Sequence, residues 1–407
     1  MIIKTLDFII YWAIVLIPFS MAISPAPMNV FMGLLIGFFL IKTIIKRERL
    51  FPKTGVGLPL LFLFLITCLS LVHSVDIKDT LRGGIGRLAH YALVFFALAS
   101  QVKDKKHLWR IIASVALGLA LTAVDEVWQV FTGRDFIRGY ATIINIGLVR
   151  ATASFKDANV LGIYLSAIAP LIFGLTIGFL KGAKRIVFLV ISILALVGIT
   201  LTFSRPTMLA AFCALLFLGI VLKKRALVVS LVVLVLILPF IVPRTVRQWA
   251  KDTDYNPIRF MCNDDRIAIF RNSMNMIKAH PVIGTGANNF MKNYKKYKEN
   301  PEYRNVVTSD FLQAHNNFLH MAGELGLVGL GIFLWLLYKL FSQIAYIYKR
   351  LSDHFLKTIL LSLTACLIAF LINGLTESSL YSARVALIFW YLGGLALGIR
   401  KIADAKN

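Results

Sequence analysis

The sequence predicts an all-α polytopic membrane protein, with about twelve transmembrane helices and a helical lid between spans nine and ten. Three observations carry that prediction. Hydrophobic residues make up 58% of the 407-residue chain, and its mean hydropathy is +0.77. Apolar runs recur at the length of about 17–25 residues that crosses a bilayer as a helix. Basic clusters fall in every second connection between those runs, the pattern of cytoplasmic loops. Spans in lipid must satisfy their own backbone hydrogen bonds, which makes them helices; a barrel would show alternation in segments of about 10 residues.

Taken in order, the spans are predicted at 7–24, 27–45, 56–73, 88–102, 111–131, 159–180, 186–203, 207–222, 226–243, 318–340, 356–374 and 384–400. The first is read as an uncleaved span rather than a signal peptide, because a second follows almost at once. Basic residues follow span two (Lys46, Arg47, Arg49), span four (Lys103, Lys105, Lys106), span six (Lys181, Lys184, Arg185), span eight (Lys223, Lys224, Arg225) and span ten (Lys349, Arg350), and Arg400 and Lys401 close the last. The alternation places both termini in the cytoplasm and the odd-to-even connections outside. Three regions follow: residues 1–243 with spans one to nine, a large outer loop over 244–317, and residues 318–407 with spans ten to twelve. Within the loop, Ile267, Phe270, Met274 and Ile277 recur at helical spacing, and Pro281-Val-Ile-Gly284-Thr-Gly286 stops that helix. A second helix is expected over 288–297.

The formal net charge of +24 does not point to nucleic acid, because the basic residues sit between spans, where they meet anionic headgroups. Membrane lipids are the expected surroundings. Of the four cysteines, Cys68, Cys213 and Cys366 lie in spans and Cys262 stands alone in the loop, which argues against a disulfide framework. No metal-binding cluster and no cofactor motif is visible.

Candidate chemistry concentrates on the outer side. His315-Asn316 stands where the polar loop meets span ten, and a histidine at such a boundary can take and return protons near neutral pH. Helix capping is the competing reading. Gly326 and Gly329 are expected to permit close helix packing. Arg205 lies in the tight Ser204-Arg205-Pro206 turn, near a helix N-terminus suited to anions. Arg266 opens the first lid helix, with pairing to Asp264 and Asp265 as the alternative. Arg150 adds positive charge, and Asn159 or Asp157 is expected to cap span six. Asp125 and Glu126 are expected to pair with the outer arginines, and His320 to serve packing. One candidate base and several arginines suit an anionic donor with a good leaving group, such as a lipid diphosphate.

The run His315-Asn316, nine residues, Gly326-Leu-Val-Gly329 resembles the signature of bacterial O-antigen ligases. Ser204-Arg205 resembles the family's Ser-Arg turn before a span. Arg266 through Pro281-x-x-Gly284-x-Gly286 is similar to the start of its large periplasmic loop, and Phe155 to Asn159 to its Phe-x-x-x-Asn. The resemblance covers most of residues 150–340. It implies an inverting, metal-independent glycosyl transfer at the periplasmic face of the bacterial inner membrane, from an undecaprenyl diphosphate-linked glycan to lipid A-core. His315 would be the base, Arg205 and Arg266 would hold the diphosphate, and Arg150 and Asn316 would assist. O-antigen polymerases and protein O-oligosaccharyltransferases share this donor chemistry. A transporter or lipid flippase is the reading from another class, but no internal repeat supports it.

Overall fold

The computed structural model describes residues 2–51, 54–145, 148–241, 264–298 and 312–404, with 247–248, 251–252, 256 and 262 between them. The molecule is a bundle of apolar helices: α1 Ile2–Ile23, α2 Pro25–Lys46, α3 Gly57–Leu69, α4 Ile77–Gln101, α5 Lys105–Thr132, α6 Ala158–Gly178, α7 Gly182–Leu201, α8 Arg205–Val221 and α9 Arg225–Ile241, then, after two lid helices, α12 Asn317–Arg350, α13 His354–Asn373 and α14 Ala383–Asp404. Among the described residues nine helices are long and apolar enough to cross a membrane, and three shorter ones (α3 with its 3-10 extension to His73, α8 and α9) are apolar as well.

Local chemistry sets the boundaries. Ser24 caps α2 by accepting from the Ala26 N–H, and Pro25 starts the helix where a missing N–H costs nothing. Asp104 caps α5, Asp157 caps α6 and Asp353 caps α13 in the same way. The bundle has a centre and a rim. Helices α6, α13 and α14 are buried along most of their length, with α13 lying on both α6 and α8, and α14 on α4. Gly394 lets α14 come down on the backbone of α4 at Phe95, and a side chain there would collide with the Phe95 carbonyl. Helices α3, α7 and α9 turn rows of exposed apolar side chains outward, among them Leu61, Phe62, Leu65, Val190, Ile193, Val232 and Leu236. In water such rows would be unfavourable; against lipid tails they are the expected surface.

The lid is built from α10 (Asp264–Ala279) and the short α11 (Phe290–Tyr294), which a 3-10 turn extends to Tyr297. The first matches the helix predicted from the Ile267–Ile277 periodicity, whereas the second begins two residues later than expected and is shorter. The stretch 303–310, read as the lead into span ten, lies outside the described residues. Residues 281–290 seat the lid on the bundle. Ser70 Oγ accepts from the Ala287 N–H at 3.0 Å, Thr80 Oγ1 donates to the Ala287 carbonyl at 2.8 Å, and Asn289 Oδ1 accepts from the Asp76 N–H at 2.9 Å.

The structure changes the reading of Gly326. This residue is not a packing notch: its φ of 70° and ψ of −178° break α12. The kink leaves backbone groups without helical partners, and the lid supplies them. Thr285 and Gly286 donate to the carbonyls of Gly323 and Glu324, each at 3.0 Å, and the Leu327 N–H donates to the Pro281 carbonyl at 2.7 Å. Glycine is needed at 326 both for its positive φ and because a Cβ would run into the Val282 carbonyl. The Pro-x-x-Gly-x-Gly and His-Asn-x9-Gly motifs are two halves of one hydrogen-bonded joint.

The connection between α5 and α6 departs from a plain loop. It forms a short antiparallel hairpin, β1 Ile143–Asn145 and β2 Leu148–Arg150, which ends at the candidate site.

Candidate functional site

His315 precedes the first residue of α12 by two. Asn316 has an extended backbone and its side chain accepts from the Phe318 and Leu319 N–H groups, so Asn316, not His315, caps the helix. His315 itself sits at φ 47°, a left-handed conformation that costs a non-glycine residue about 1–2 kcal/mol. That turn carries the imidazole off the helix axis toward the connection between α13 and α14. The connection is tied down first. Gly374 accepts from the Asn317 N–H at 2.7 Å, Leu375 accepts from Asn316 Nδ2 at 2.8 Å, and Asn317 binds both Ser379 Oγ (2.8 Å) and the Leu380 N–H (3.0 Å).

These bonds place Glu377 opposite the histidine. His315 Nδ1 lies 3.0 Å from Glu377 Oε2. An ionised carboxylate only accepts, so Nδ1 carries the hydrogen and Nε2 is left as the basic lone pair. The Glu377 side chain is 12% exposed and that of His315 31%, so the carboxylate is sheltered while the ring is reachable.

The other oxygen of Glu377 gathers the cations. Oε1 accepts from Asn159 Nδ2 at 2.9 Å and forms an ion pair with Arg266. Asn159 Oδ1 accepts from Arg150 Nη2 at 2.6 Å, and Arg150 Nε donates to the Thr202 carbonyl at 2.7 Å. Arg205 starts α8 close to Arg266 and Arg150. Burial alone would raise the Glu377 carboxyl, but its bond to His315 and the charges of Arg266 and Arg150 bring it below its usual range. Burial lowers Arg150, and Arg266 adds to the effect, against the pull of Asp157 and Glu377.

The surrounding backbone is strained and braced. Ala153, Lys156 and Phe203 all have positive φ within a few residues of Arg150, Asn159 or Arg205, and strain of this kind persists only where neighbours enforce it. Two buried side chains do so. Gln129 satisfies its whole amide: Oε1 accepts from the Thr152 and Ala153 N–H groups, and Nε2 donates to the Tyr140 carbonyl and to Thr152 Oγ1. Arg384 donates to Met21, Ala22 and Ser154 carbonyls and to Ser154 Oγ at 2.7–2.8 Å, with its guanidinium 3.5 Å from the Phe155 ring centroid.

Arg150, Arg205, Arg266 and His315 therefore converge from four separate parts of the chain, and Asn316 stands beside them as a cap. Arg266 turns inward to Glu377. Asn159 is not a cap: Asp157 takes that role, and Asn159 bridges Arg150 to Glu377. Asp125 and Glu126 make no salt bridge to an arginine among the described residues. Asp125 instead accepts from the Phe136 N–H at 2.8 Å, and Glu126 is buried against Gly198. Glu377 and Arg384 are the contributors that the sequence did not single out, and Asn159, expected as a cap, contributes as a bridge. No group of three or more His, Cys, Asp or Glu side chains able to hold a metal occurs among the described residues.

The sequence comparison now bears on this geometry. Residues 190–334 match the family model described as O-antigen ligase. The match, over about a third of the chain, supports the O-antigen ligase/polymerase superfamily, as the His-Asn motif led one to expect, and agrees with the nine helices apolar and long enough to cross a membrane among the described residues. No curated protein matches the chain. The matched region contains Arg205, Arg266 and His315, whereas Arg150, Asn159 and Glu377 lie outside the matched residues. The site thus joins residues of the matched region to three from outside it, on β2, on α6 and in the connection between α13 and α14.

Proposed function

We propose that this protein is an O-antigen ligase, transferring preassembled O-antigen from undecaprenyl diphosphate to a sugar hydroxyl of lipid A-core at the periplasmic face of the inner membrane. One observation carries the reading: His315 Nδ1 faces Glu377 Oε2 at 3.0 Å while the other Glu377 oxygen engages Arg266 and, through Asn159, Arg150, which favours Nε2 as the lone pair that would act as base. Base, orienting carboxylate and charge stabilisers are the parts an inverting displacement needs.

In the proposed step, His315 Nε2 takes the proton of the acceptor hydroxyl as its oxygen attacks the anomeric carbon of the donor. The bond from that carbon to the diphosphate oxygen breaks, and undecaprenyl diphosphate leaves with the electron pair. The protonated imidazole is stabilised by Glu377. Arg205 and Arg266, with Arg150 behind them, offset the charge that grows on the leaving diphosphate, the task a divalent metal performs elsewhere. Asn316 serves by fixing the backbone that aims His315.

The test is lipopolysaccharide from a deletion strain complemented with wild type or His315→Ala. Wild type restores the polymer ladder on lipid A-core, while the variant inserts normally and lets undecaprenyl-linked polymer build up. A ladder made by His315→Ala would sink the role of that residue. Core bearing a single repeat unit in the deletion strain would identify a polymerase instead, and intact lipopolysaccharide with an under-glycosylated protein would identify a protein glycosyltransferase.

A further inference from the structure

A second histidine, His320, was expected to serve packing, and its ring is packed. It stacks on Tyr381 with centroids 3.5 Å apart and 7° between planes, and on its other side meets Phe290 at 4.5 Å. Yet both nitrogens are also in use, in a side chain only 3% exposed. Nε2 lies 3.2 Å from Glu324 Oε1 and Nδ1 3.0 Å from Ser378 Oγ. The same Glu324 oxygen accepts from the Phe290 N–H at 3.1 Å. A carboxylate accepts only, so Nε2 bears the hydrogen, Nδ1 accepts, and the Ser378 hydroxyl must donate. The directions of all three bonds are determined.

The two ends of this chain of bonds give it a meaning. At one end lies the lid: Phe290 opens α11, and the Glu324 carbonyl, freed by the kink, binds Gly286. At the other end Ser378 is the covalent neighbour of Glu377, the partner of His315. His315 and His320 thus hold adjacent residues of one short connection, the first through Glu377 and the second through Ser378.

We propose that His320 is a positioning residue that couples seating of lid residues 285–290 to the orientation of the His315–Glu377 pair. It touches no substrate. With the lid seated, Glu324 is held by Phe290 and in turn fixes the tautomer and angle of His320. His320 then holds the Ser378 hydroxyl, and the peptide that carries Glu377 stays in place. With the lid lifted, the buried Glu324 carboxylate loses an N–H partner and must find another, and the bonds leading to Glu377 slacken. Displacement of a reacting group by about 1 Å is enough to cost about 100-fold in rate. The base is thereby fully aimed only when the lid, which also brings Arg266 to Glu377, is down. This inference rests on the reading of His315 as the base.

The experiment uses the full-length protein in proteoliposomes with a lipid diphosphate-linked glycan donor and lipid A-core acceptor. It compares wild type, His320→Ala, His320→Gln, Ser378→Ala, the His320→Ala/Ser378→Ala double variant and His315→Ala. Ser378→Ala, which removes one hydroxyl, is expected to lower kcat about 10–100-fold with donor KM within about twofold, the range seen when an orienting partner is removed. His320→Ala should do the same, His320→Gln should recover part of the loss, and the double variant should be no slower than the slower single one, because both act through one link. Ser378→Ala should also speed tryptic cleavage of the lid at Lys292–Lys298 by more than about threefold, if the coupling runs both ways as linkage requires. Wild-type kcat in Ser378→Ala, multiplicative losses in the double variant, or an unchanged cleavage rate each overturns the proposal. An active His315→Ala in the same assay would instead overturn the reading of the base on which it rests.

Discussion

The two ends of the helix bundle handle charge differently. At the end where α2 and α4 finish, three lysines between the helices are met by acids. Lys42 pairs with Asp7 at 2.7 Å and donates to Gln101, Lys103 reaches the same aspartate at 3.3 Å, and Lys105 pairs with Asp353, which also caps α13. At the end where α8 and α12 begin, Arg266 and, through Asn159, Arg150 gather on Glu377, whose two oxygens are engaged by His315, Arg266 and Asn159, and Arg205 stands near those two arginines. Left-handed backbone occurs at both ends, at Arg47 and Lys223 at the first and at Ala153, Lys156, Phe203 and His315 around the arginines. Matched charges hold helices together, whereas buried arginines gathered around one shared carboxylate are the arrangement expected of a site.

Substitutions at the two ends should separate accordingly. The largest effect is expected from Glu377→Gln. The amide keeps the shape but no longer dictates which imidazole nitrogen carries the hydrogen, and kcat in reconstituted transfer should fall about 10³–10⁴-fold, as when the carboxylate of a base–carboxylate pair is neutralised. Little change would remove Glu377 from the chemistry. The same group has a pH signature. Folding lowers its carboxyl below the unfolded value of 4.5, so as pH falls the unfolded chain takes up the proton first. Its contribution is complete above that value and is lost below it; the difference in unfolding midpoint between wild type and Glu377→Gln should therefore close as the buffer is taken below pH 4.5.

Next in size are Arg205→Lys and Arg266→Lys, which keep the charge but lose the guanidinium fork that suits two phosphate oxygens at once. Each should lower kcat/KM about 100-fold, and near-normal values would show that charge alone suffices. Arg384→Lys should act on stability instead. One ammonium cannot serve the three carbonyls and one hydroxyl that the guanidinium binds, and about 3 kcal/mol should be lost in a denaturant melt in detergent. A change in kcat without a change in melting would contradict a bracing role. The smallest effect belongs to the other end: Lys103→Gln, which takes an exposed partner from Asp7, should cost no more than about 1 kcal/mol and leave transfer unchanged. A large loss of activity there would break the distinction between the two ends.

The bundle was legible because apolar length and basic connections act residue by residue and need no partner to be read. The spans predicted at 159–180 and 384–400 sit almost on α6 and α14. Gly326 was misjudged because small residues in a span have two uses, and only the approach of Val282 and Pro281, about 45 residues earlier, distinguishes a break from a contact. The arginines and His315 could be read because each is costly where it stands. Glu377 could not, since Gly374-Leu-Thr-Glu-Ser-Ser379 reads as an ordinary polar connection and the histidine it serves lies 62 positions away. One signal was available: with 20 acids against 44 lysines and arginines, an acid on the same side as three arginines is scarce enough to matter. Arg384 was hidden at the edge of a span, where an arginine is ordinarily taken to reach for headgroups.

The late position of Glu377 in the chain also bears on biogenesis. Arg150, Arg205 and Arg266 leave the ribosome first, and at about 5–20 residues per second the carboxylate that joins them follows many seconds later. During that interval the acid that pairs with Arg266 and is bridged by Asn159 to Arg150 has yet to be synthesised. Insertion of the last two helices therefore does more than complete the bundle. It closes the circuit of charge, so a nascent chain stalled before α13 has all of residues 190–334 made and still lacks the carboxylate that faces His315.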